Sequence, residues 1–341
     1  MSPPVGRTWG VSLVGMEAHL VDIEVLAVAN VPAFVLVGLP DAALDESRDR
    51  IRAAFAVTGL SWPNKRVTVN LSPASLPKSG SGFDLGIAVG VLAACGIVAP
   101  ERIDGAVHIG ELGLDGRVRP VRGVLPAALA ARRAGARRIV VPVGNVEEAR
   151  LVSGIDVVPA ASLAQLAIGY GAKDVTVPPD AGPVLPARPA PPPAAGDLSD
   201  VVGQAEARAA LEIAAAGGHH LFMTGPPGTG KTMLAARLPT VLPDLEEAEA
   251  LEVTALHSVA GTLDQAGGLI RRPPYEAPHH TATPAAIIGG GSGIPRPGAV
   301  SRAHLGVLFL DEAPEFSPRV LETLRQPLEL GEVVIHRSAG A

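Results

Sequence analysis

One cysteine, Cys95, stands in 341 residues, which leaves neither a disulfide framework nor a Cys-cluster zinc site available. Aromatic residues are 3% of the chain, so its cores must be built mainly from Val, Leu, Ile and Ala. Only four lysines occur (Lys65, Lys78, Lys173 and Lys231), and the other basic residues are Arg in an Ala-rich chain, so a single Arg carries little functional weight. Lys plus Arg totals 28 against 34 acids, a net charge of −6 that excludes a uniformly basic nucleic-acid coat. No long hydrophobic run is present. The uncharged stretch Leu85–Pro100 holds 16 residues with three glycines, short of the roughly 20 a bilayer requires, and reads as a buried core helix. Met1–Gly10 lacks a basic region leading into an apolar stretch. The expectation is a cytoplasmic protein with no membrane partner.

What is present argues for two domains. Apolar residues make up 47%, and 341 residues at roughly 150 per domain suggest a pair. Eight prolines between 178 and 196 read as an extended, semi-rigid linker. The linker separates two charge regimes: 17 basic and 16 acidic side chains in 1–177, then 11 and 18 in 178–341, a net −7. In the first part, Arg66–Leu71 alternates as a strand and Ala106–Leu114 is a further strand candidate, while 139–142 and 156–159 read as short buried strands. Asp41 caps a helix that stops at Gly59, and helices are expected over 84–95, 124–133 and 162–168. In the second part, 197–218 reads as one capped helix, followed by an apolar strand over 220–224. A second buried strand is expected over 306–310, and Ser317 caps a helix carrying Val320, Leu321, Leu324 and Leu328.

The strand expected at 220–224 runs into Gly225-Pro226-Pro227-Gly228-Thr229-Gly230-Lys231-Thr232, which fits G-x-x-x-x-G-K-[ST]. Gly228 and Gly230 allow backbone N–H groups to curl around phosphate oxygens, with the following helix, entered through Met233, adding its positive end. Lys231 supplies a mobile charge to the outer phosphates, and the Thr232 hydroxyl can ligate Mg²⁺. The second motif, Val307-Leu308-Phe309-Leu310-Asp311-Glu312, places its first acid 80 residues after Lys231. An apolar strand ending in two acids puts them at the carboxyl edge of a sheet, where ligands bind in open α/β folds. Asp311 then steadies Mg²⁺ and Glu312 polarises the attacking water. ATP and Mg²⁺ are the expected cofactors, and Lys231, Asp311 and Glu312 the expected catalytic residues.

The stretches GGHHLFMTGPPGTGKTMLA, APHHTATPAAIIGGGS, PRPGAVSRAHLGVLFLDEAPEF and LRQPLELGEVVIHR resemble AAA+ ATPases of the magnesium-chelatase-like YifB/ComM family. PKSGSGFDLGIAVGVLA and GELGLDGRVRPVRGVLPAALAARRAGARRIVVP resemble the proteolytic domain of Lon. The resemblance implies an α/β chain: a Lon-protease-like (ribosomal S5-like) domain over 1–177, a linker over 178–196, and a partial AAA+ P-loop NTPase domain over 197–341. It places Val202, Gly203 and Gln204 against the adenine. It also implies a homo-hexameric ring with ATP between subunits, and for ComM-like members a DNA motor driving branch migration in natural transformation. Matching the Lon stretches puts Asp84 at the nucleophilic serine and Leu125 at the lysine base, so the fold is kept and the protease lost. Ser79, Ser81 and Lys78 nearby leave a displaced dyad to consider.

After GEVVIHRS, read as the first half of a hairpin, the chain stops at Ala341. The strand carrying a sensor residue, the helical lid and the trans-acting arginine, expected later in AAA+ proteins, are not in the sequence. The chain therefore reads as C-terminally truncated and is expected to hydrolyse ATP negligibly by itself. Seven arginines between Arg117 and Arg138, with no acid among them, could neutralise DNA phosphates or line a solvated face. The Gly/Pro-rich stretch 271–298, with Arg271, Arg272, His279, His280 and Arg296, corresponds in related rings to pore-facing insertions. Adjacent histidines, here and at His219-His220, do not make a metal site without further ligands. A chelatase-like ATPase that remodels a protein partner without DNA stays open as the alternative.

Overall fold

Successive residues of a strand face opposite sides of a sheet, and the alternation in the first 72 residues builds one. The computed structural model describes residues 4–179, 182–185, 196–264, 268–290 and 296–333. The chain divides into two units, one comprising Met1–Arg188 and Asp264–Gly268, the other Pro189–Leu263 and Leu269–Ala341. In the first, the elements run β1 (Val5–Val14), β2 (Glu17–Val28), β3 (Ala33–Val37), α1 (Ala42–Asp45), α2 (Ser47–Val57), β4 (Arg66–Ser72) and α3 (Asp84–Ala94). They continue with β5 (Ala106–His108), β6 (Glu111–Leu112), β7 (Val118–Arg119), α4 (Val124–Arg133), β8 (Arg138–Pro142), α5 (Val146–Arg150), β9 (Asp156–Ala160) and α6 (Leu163–Gly169). Seven strands form one sheet in the order β3-β4-β2-β1-β5-β8-β9. The β1–β2 and β2–β4 pairs are antiparallel and the other four parallel.

Small residues set how closely α3 lies on this sheet. Every residue of α3 is buried, as expected for a helix apolar on all sides. A Cβ on Gly6 would come 2.1 Å from the Gly90 carbonyl oxygen, and one on Gly86 or Gly90 would meet Ile23 or Val25 at 2.6 Å. Glycine at these positions lets the backbones of β1 and α3 nearly touch. Behind them, Thr8, His108 and Tyr170 form a buried chain. Thr8 Oγ1 donates to the Ala106 carbonyl (2.9 Å) and therefore accepts from His108 Nδ1 (2.6 Å). His108 Nε2 is left to accept from the Tyr170 hydroxyl at 2.7 Å. The ring is thus neutral, in keeping with burial lowering His108 to about 3 and raising Tyr170 to about 12.

Most expected elements of this unit are present. Asp41 Oδ1 accepts from the Leu44 N–H and Gly59 follows α2 at φ +70, but the one helix expected between them is divided at Glu46 into α1 and α2. Ser162 caps α6 through the Gln165 N–H. The candidate strand 106–114 is instead split into β5 and β6, because the Leu85 N–H donates to Gly110 O and Gly110 N–H to Gly82 O, turning the chain between them.

The second unit contains α7 (Ala205–Gly217), α8 (Lys231–Ala235), α9 (Leu238–Val241), α10 (Glu247–Ala260), β10 (Tyr275–Glu276), α11 (Pro284–Ile288) and β11 (Gly289–Gly290). After these come β12 (Arg296–Pro297), α12 (Ala299–Arg302), β13 (Val307–Leu308), α13 (Pro318–Thr323) and α14 (Arg325–Leu330). Three expectations are corrected. The helix read over 197–218 begins only at Ala205: Asp197 caps a 3-10 turn at Leu198–Asp200, and Gly203 and Gln204 take positive φ of 74 and 52. Residues 220–224 form no strand. A strand needs a neighbour for its ladder, and among the described residues none pairs with this segment, leaving Phe222 84% exposed. The strand over 306–310 is confined to Val307–Leu308, paired in parallel with β10. Ser317 caps α13 as expected, with Val320 and Leu324 buried and Leu321 and Leu328 exposed. The described residues of 178–196 before Asp197 hold no helix or strand, and 334–338, the end of the proposed hairpin, lie outside the described residues. Among the described residues, no helix is long and apolar enough to cross a membrane.

Candidate functional site

The glycine-rich loop closes through its own polar groups. Gly228 and Gly230 sit at φ +79 and +85, the left-handed region where a side chain is strained. Thr229 Oγ1 donates to the Pro226 carbonyl at 2.9 Å. Lys231 Nζ folds back onto the carbonyls of Gly225 (2.7 Å) and Pro226 (3.0 Å). Those carbonyls satisfy the ammonium only as neutral acceptors, so an anion arriving over the loop offers it a stronger, charge-assisted partner. Gln204 reaches the same loop and donates from Nε2 to the Thr229 carbonyl at 3.2 Å. A Cβ on Gly230 would lie 3.1 Å from Gln204 Nε2 and 3.2 Å from Met233 Cε, so both side chains border the loop. Val202, at 94% exposure, and Gly203 precede Gln204, with a free apolar side chain beside the loop.

The acids come from the other end of the unit. Gly306 allows β13 to lie close to β10, since a Cβ there would be 2.2 Å from the Pro274 carbonyl. The Val307 and Phe309 N–H groups donate to Pro274 O and Glu276 O, both at 2.8 Å, and Tyr275 stacks on Phe309. Burial, helped by the Asp311 carboxylate, pushes the Tyr275 phenol up to about 12. Thr232 Oγ1 donates to Asp311 Oδ2 at 2.8 Å, joining two motifs 79 residues apart. The Glu312 N–H donates to Asp311 Oδ1 at 3.1 Å, and Glu312 itself takes a positive φ of 51.

Thus Lys231, Thr232, Asp311 and the loop Gly225–Gly230 come together, with Gln204 and Met233 at the rim. Among the described residues no three His, Cys, Asp or Glu side chains are grouped to hold a metal ion. A magnesium ion, which binds through one or two carboxylates and keeps waters and phosphate oxygens, needs no such group, and the Thr232–Asp311 pair fits it.

The expected protease position holds different chemistry. Asp84 is fully buried at the start of α3. Arg50 Nε and Nη2 donate to its two oxygens at 2.6 and 3.0 Å, and the Leu112 N–H donates to Oδ2 at 3.2 Å. Burial pushes the carboxyl up to about 6, with Arg50 pulling the other way. Leu125 is buried in the core, and its N–H donates to Glu148 Oε1 at 2.8 Å. Of the remaining candidates, Lys78 Nζ donates to the Pro73 carbonyl and Ser81 Oγ to Glu111, so these two are engaged elsewhere and not with one another.

Arg117 pairs with Asp115, Arg132 donates to the Ser153 carbonyl, and Arg119, Arg122, Arg133 and Arg137 are exposed. Arg271, Arg272 and Arg296 are exposed, while 291–295 lie outside the described residues. His219 and His220 are exposed rather than buried. The His279 and His280 rings lie with centroids 4.0 Å apart, tilted by 34°, and His280 Nδ1 lies 3.7 Å from Glu312 Oε2. That last proximity has no signal in the sequence until the register of β10 against β13 is known.

Comparison with known proteins gives two family matches: "Magnesium chelatase, subunit ChlI" over residues 197–341 and "Subunit ChlI of Mg-chelatase" over 23–145. An uncharacterized protein of Mycobacterium tuberculosis is 54% identical over 336 residues, covering 98% of this chain and 66% of that protein. The competence protein ComM of Haemophilus influenzae is 42% identical over 344 residues, 95% of this chain and 63% of its own length. The uncharacterized protein YifB of Escherichia coli is 40% identical over 329 residues, with coverages of 95% and 62%. The chain thus spans roughly two thirds of the length of these relatives. A shorter match, 35% identical over 145 residues and 39% of this chain, is to Lon protease 2 of Bacillus subtilis. The fold is α/β, with a Lon-protease-like N-terminal region and a magnesium-chelatase AAA+ module after it.

Proposed function

Since the chain belongs to the YifB/ComM family of magnesium-chelatase-like proteins, we propose that it binds Mg-ATP between the Gly225–Thr232 loop and Asp311. The observation that carries this reading is the 2.8 Å contact of Thr232 Oγ1 with Asp311 Oδ2. A threonine after the loop lysine and an aspartate at the end of an apolar strand are the pair a magnesium–phosphate complex needs. Lys231 grips the outer phosphates, Thr232 and Asp311 steady the metal, and Glu312 polarises the attacking water. Val202, Gly203 and Gln204 face the base. Residues 1–177 form a Lon-like domain without its dyad, 178–196 a linker, and 197–341 the ATPase.

In the full-length protein, hydrolysis drives translocation along DNA in a cytoplasmic hexameric ring, as the likeness to a competence protein suggests. The isolated 341-residue chain turns over little, because segment 220–224, which pairs with no strand among the described residues, gives the loop no sheet to anchor it. A second reading, remodelling of a protein partner, is favoured by one observation: residues 178–341 carry 11 basic and 18 acidic side chains, an unfavourable balance for a phosphate backbone. Binding of a fluorescent ATP analogue with Mg²⁺ tests the nucleotide site. Lys231→Ala should weaken it by at least about tenfold, roughly 1.4 kcal/mol, and unchanged affinity would refute the assignment. ATPase stimulation of the full-length protein by forked DNA, and not by a protein partner, separates the two motors.

A further inference from the structure

We propose that the Lon-like unit carries a groove in which the C-terminal end of a partner protein adds as a short strand to β2, its carboxylate held by Arg133 and His19. The groove involves no residue of the nucleotide site, and none of Asp84, Arg50 or Leu125 lines it. The sheet has a gap beside β2. That strand pairs with β1 from Glu17 onward, but with β4 only from Asp22, opposite Ser72, to Val28, opposite Arg66. In an antiparallel ladder alternate residues direct their N–H and C=O groups to opposite neighbours. Half of those groups over 17–21 therefore face the side that β4 has left, and among the described residues they have no partner there.

The gap is a cavity of about 540 Å³, a size that suits a ligand pocket. Residues 18–20 form one wall, Pro73 and Leu76 a second, and the last turn of α4 a third. A free strand edge takes an extended chain through main-chain hydrogen bonds, and its walls choose the side chains. Here Leu20, Leu76 and Ala130 offer an apolar side chain its contacts. A strand entering toward Asp22 and Ser72 meets the closed β2–β4 ladder and has to end there, which selects a chain terminus over a through-running segment.

Charge selects which terminus. The two ionisable side chains that line the groove, His19 and Arg133, are both bases. Arg133 is exposed and has no hydrogen bond or ion pair among the described residues. Glu17 lies 3.4 Å from His19 Nε2, but at 82% exposure its side chain is free to turn to water. Behind the wall, buried Lys78 donates to the Pro73 carbonyl, and no carboxylate is paired with it among the described residues. A terminal carboxylate fits these surroundings, and an α-ammonium would be repelled.

Fluorescence anisotropy of the full-length protein tests this with a labelled pool of pentapeptides ending in Val, Leu or Ile, and with the same pool amidated at its C-terminus. The free-acid pool should bind with Kd below about 1 mM. Amidation and Arg133→Glu should each weaken binding at least about tenfold, the scale of a hydrogen bond to a charged group. Because Arg133 is exposed, the variant should keep the wild-type urea midpoint. Hydrogen exchange locates the added strand: the free-acid pool should slow exchange over 17–21. Absence of binding at about 1 mM, equal binding of the two pools, or an Arg133→Glu affinity within about twofold of wild type overturns the proposal. So does unchanged exchange over 17–21 with peptide bound. Slowing there that rises with protein concentration and needs no peptide also overturns it, and would give the groove to a second copy of the chain.

Discussion

Asp84→Ser restores the residue type that a Lon-like nucleophile requires, and the structure says that it destabilises the domain without making a protease. The carboxylate receives two Arg50 donors at 2.6 and 3.0 Å and the Leu112 N–H at 3.2 Å. A serine hydroxyl is too short to span the guanidinium. Breaking a fully buried pair costs about 3–5 kcal/mol, and leaving a buried N–H unpaired about 1–3. The Arg50 side chain is 17% exposed and lies 3.5 Å from Glu46, so part of its charge finds water and a second carboxylate. The expected loss is therefore about 2–4 kcal/mol, or about 4–16 °C in Tm for a domain of this size. Both tryptophans, Trp9 and Trp62, lie in the N-terminal part of the chain, so their emission during urea unfolding reports that unit. A midpoint change worth less than about 0.5 kcal/mol would refute the argument, because it would mean that the pair contributes no more than an exposed one. The folded variant should leave casein intact, since buried Leu125 offers no base; cleavage would overturn the account of the lost dyad.

Two further outcomes follow from the same unit. The Asp84 carboxyl is raised by burial to about 6, against about 3.9 when unfolded. The folded state therefore keeps a proton that the unfolded chain releases first, and the stability due to this group falls as pH rises from about 4 to about 6. Asp84→Asn should remove that slope from urea midpoints followed by tryptophan emission between pH 4 and 7; an unchanged slope would contradict the assignment. Gly6→Ala places a Cβ 2.1 Å from the Gly90 carbonyl, a backbone atom that cannot rotate away. It should cost about 3 kcal/mol, the upper end for overpacking, and an alanine tolerated within about 0.5 kcal/mol in the same unfolding assay would show that α3 can shift.

Local signals carried much of the first unit. Asp41, Gly59 and Ser162 punctuate helices through their own hydrogen bonds or φ angles, and these act within a few residues of chain. The apolar run 85–100 reads as a buried helix, and its first ten residues are one; the helix ends at Ala94, before Gly96 at φ +72 and the exposed Ala99. Beyond that range the sequence was silent or misleading. The apolar segment 220–224 looks like a strand, but a strand exists only through a neighbour, and among the described residues it has none. The run 197–218 looks like one helix, yet positive φ at Gly203 and Gln204 breaks it and brings Gln204 to the loop.

The sequence alone determined the chemistry available at the site: glycines where the backbone must turn left-handed, one lysine after them, and two acids ending an apolar stretch. Only the tertiary structure decided which groups meet. The Thr232–Asp311 contact, the alignment of His280 with Glu312 and the capture of Asp84 by Arg50 join residues 79, 32 and 34 positions apart. Such pairings depend on strand register and on how closely a helix can approach a sheet, quantities set by packing across the fold and not by the residues on either side.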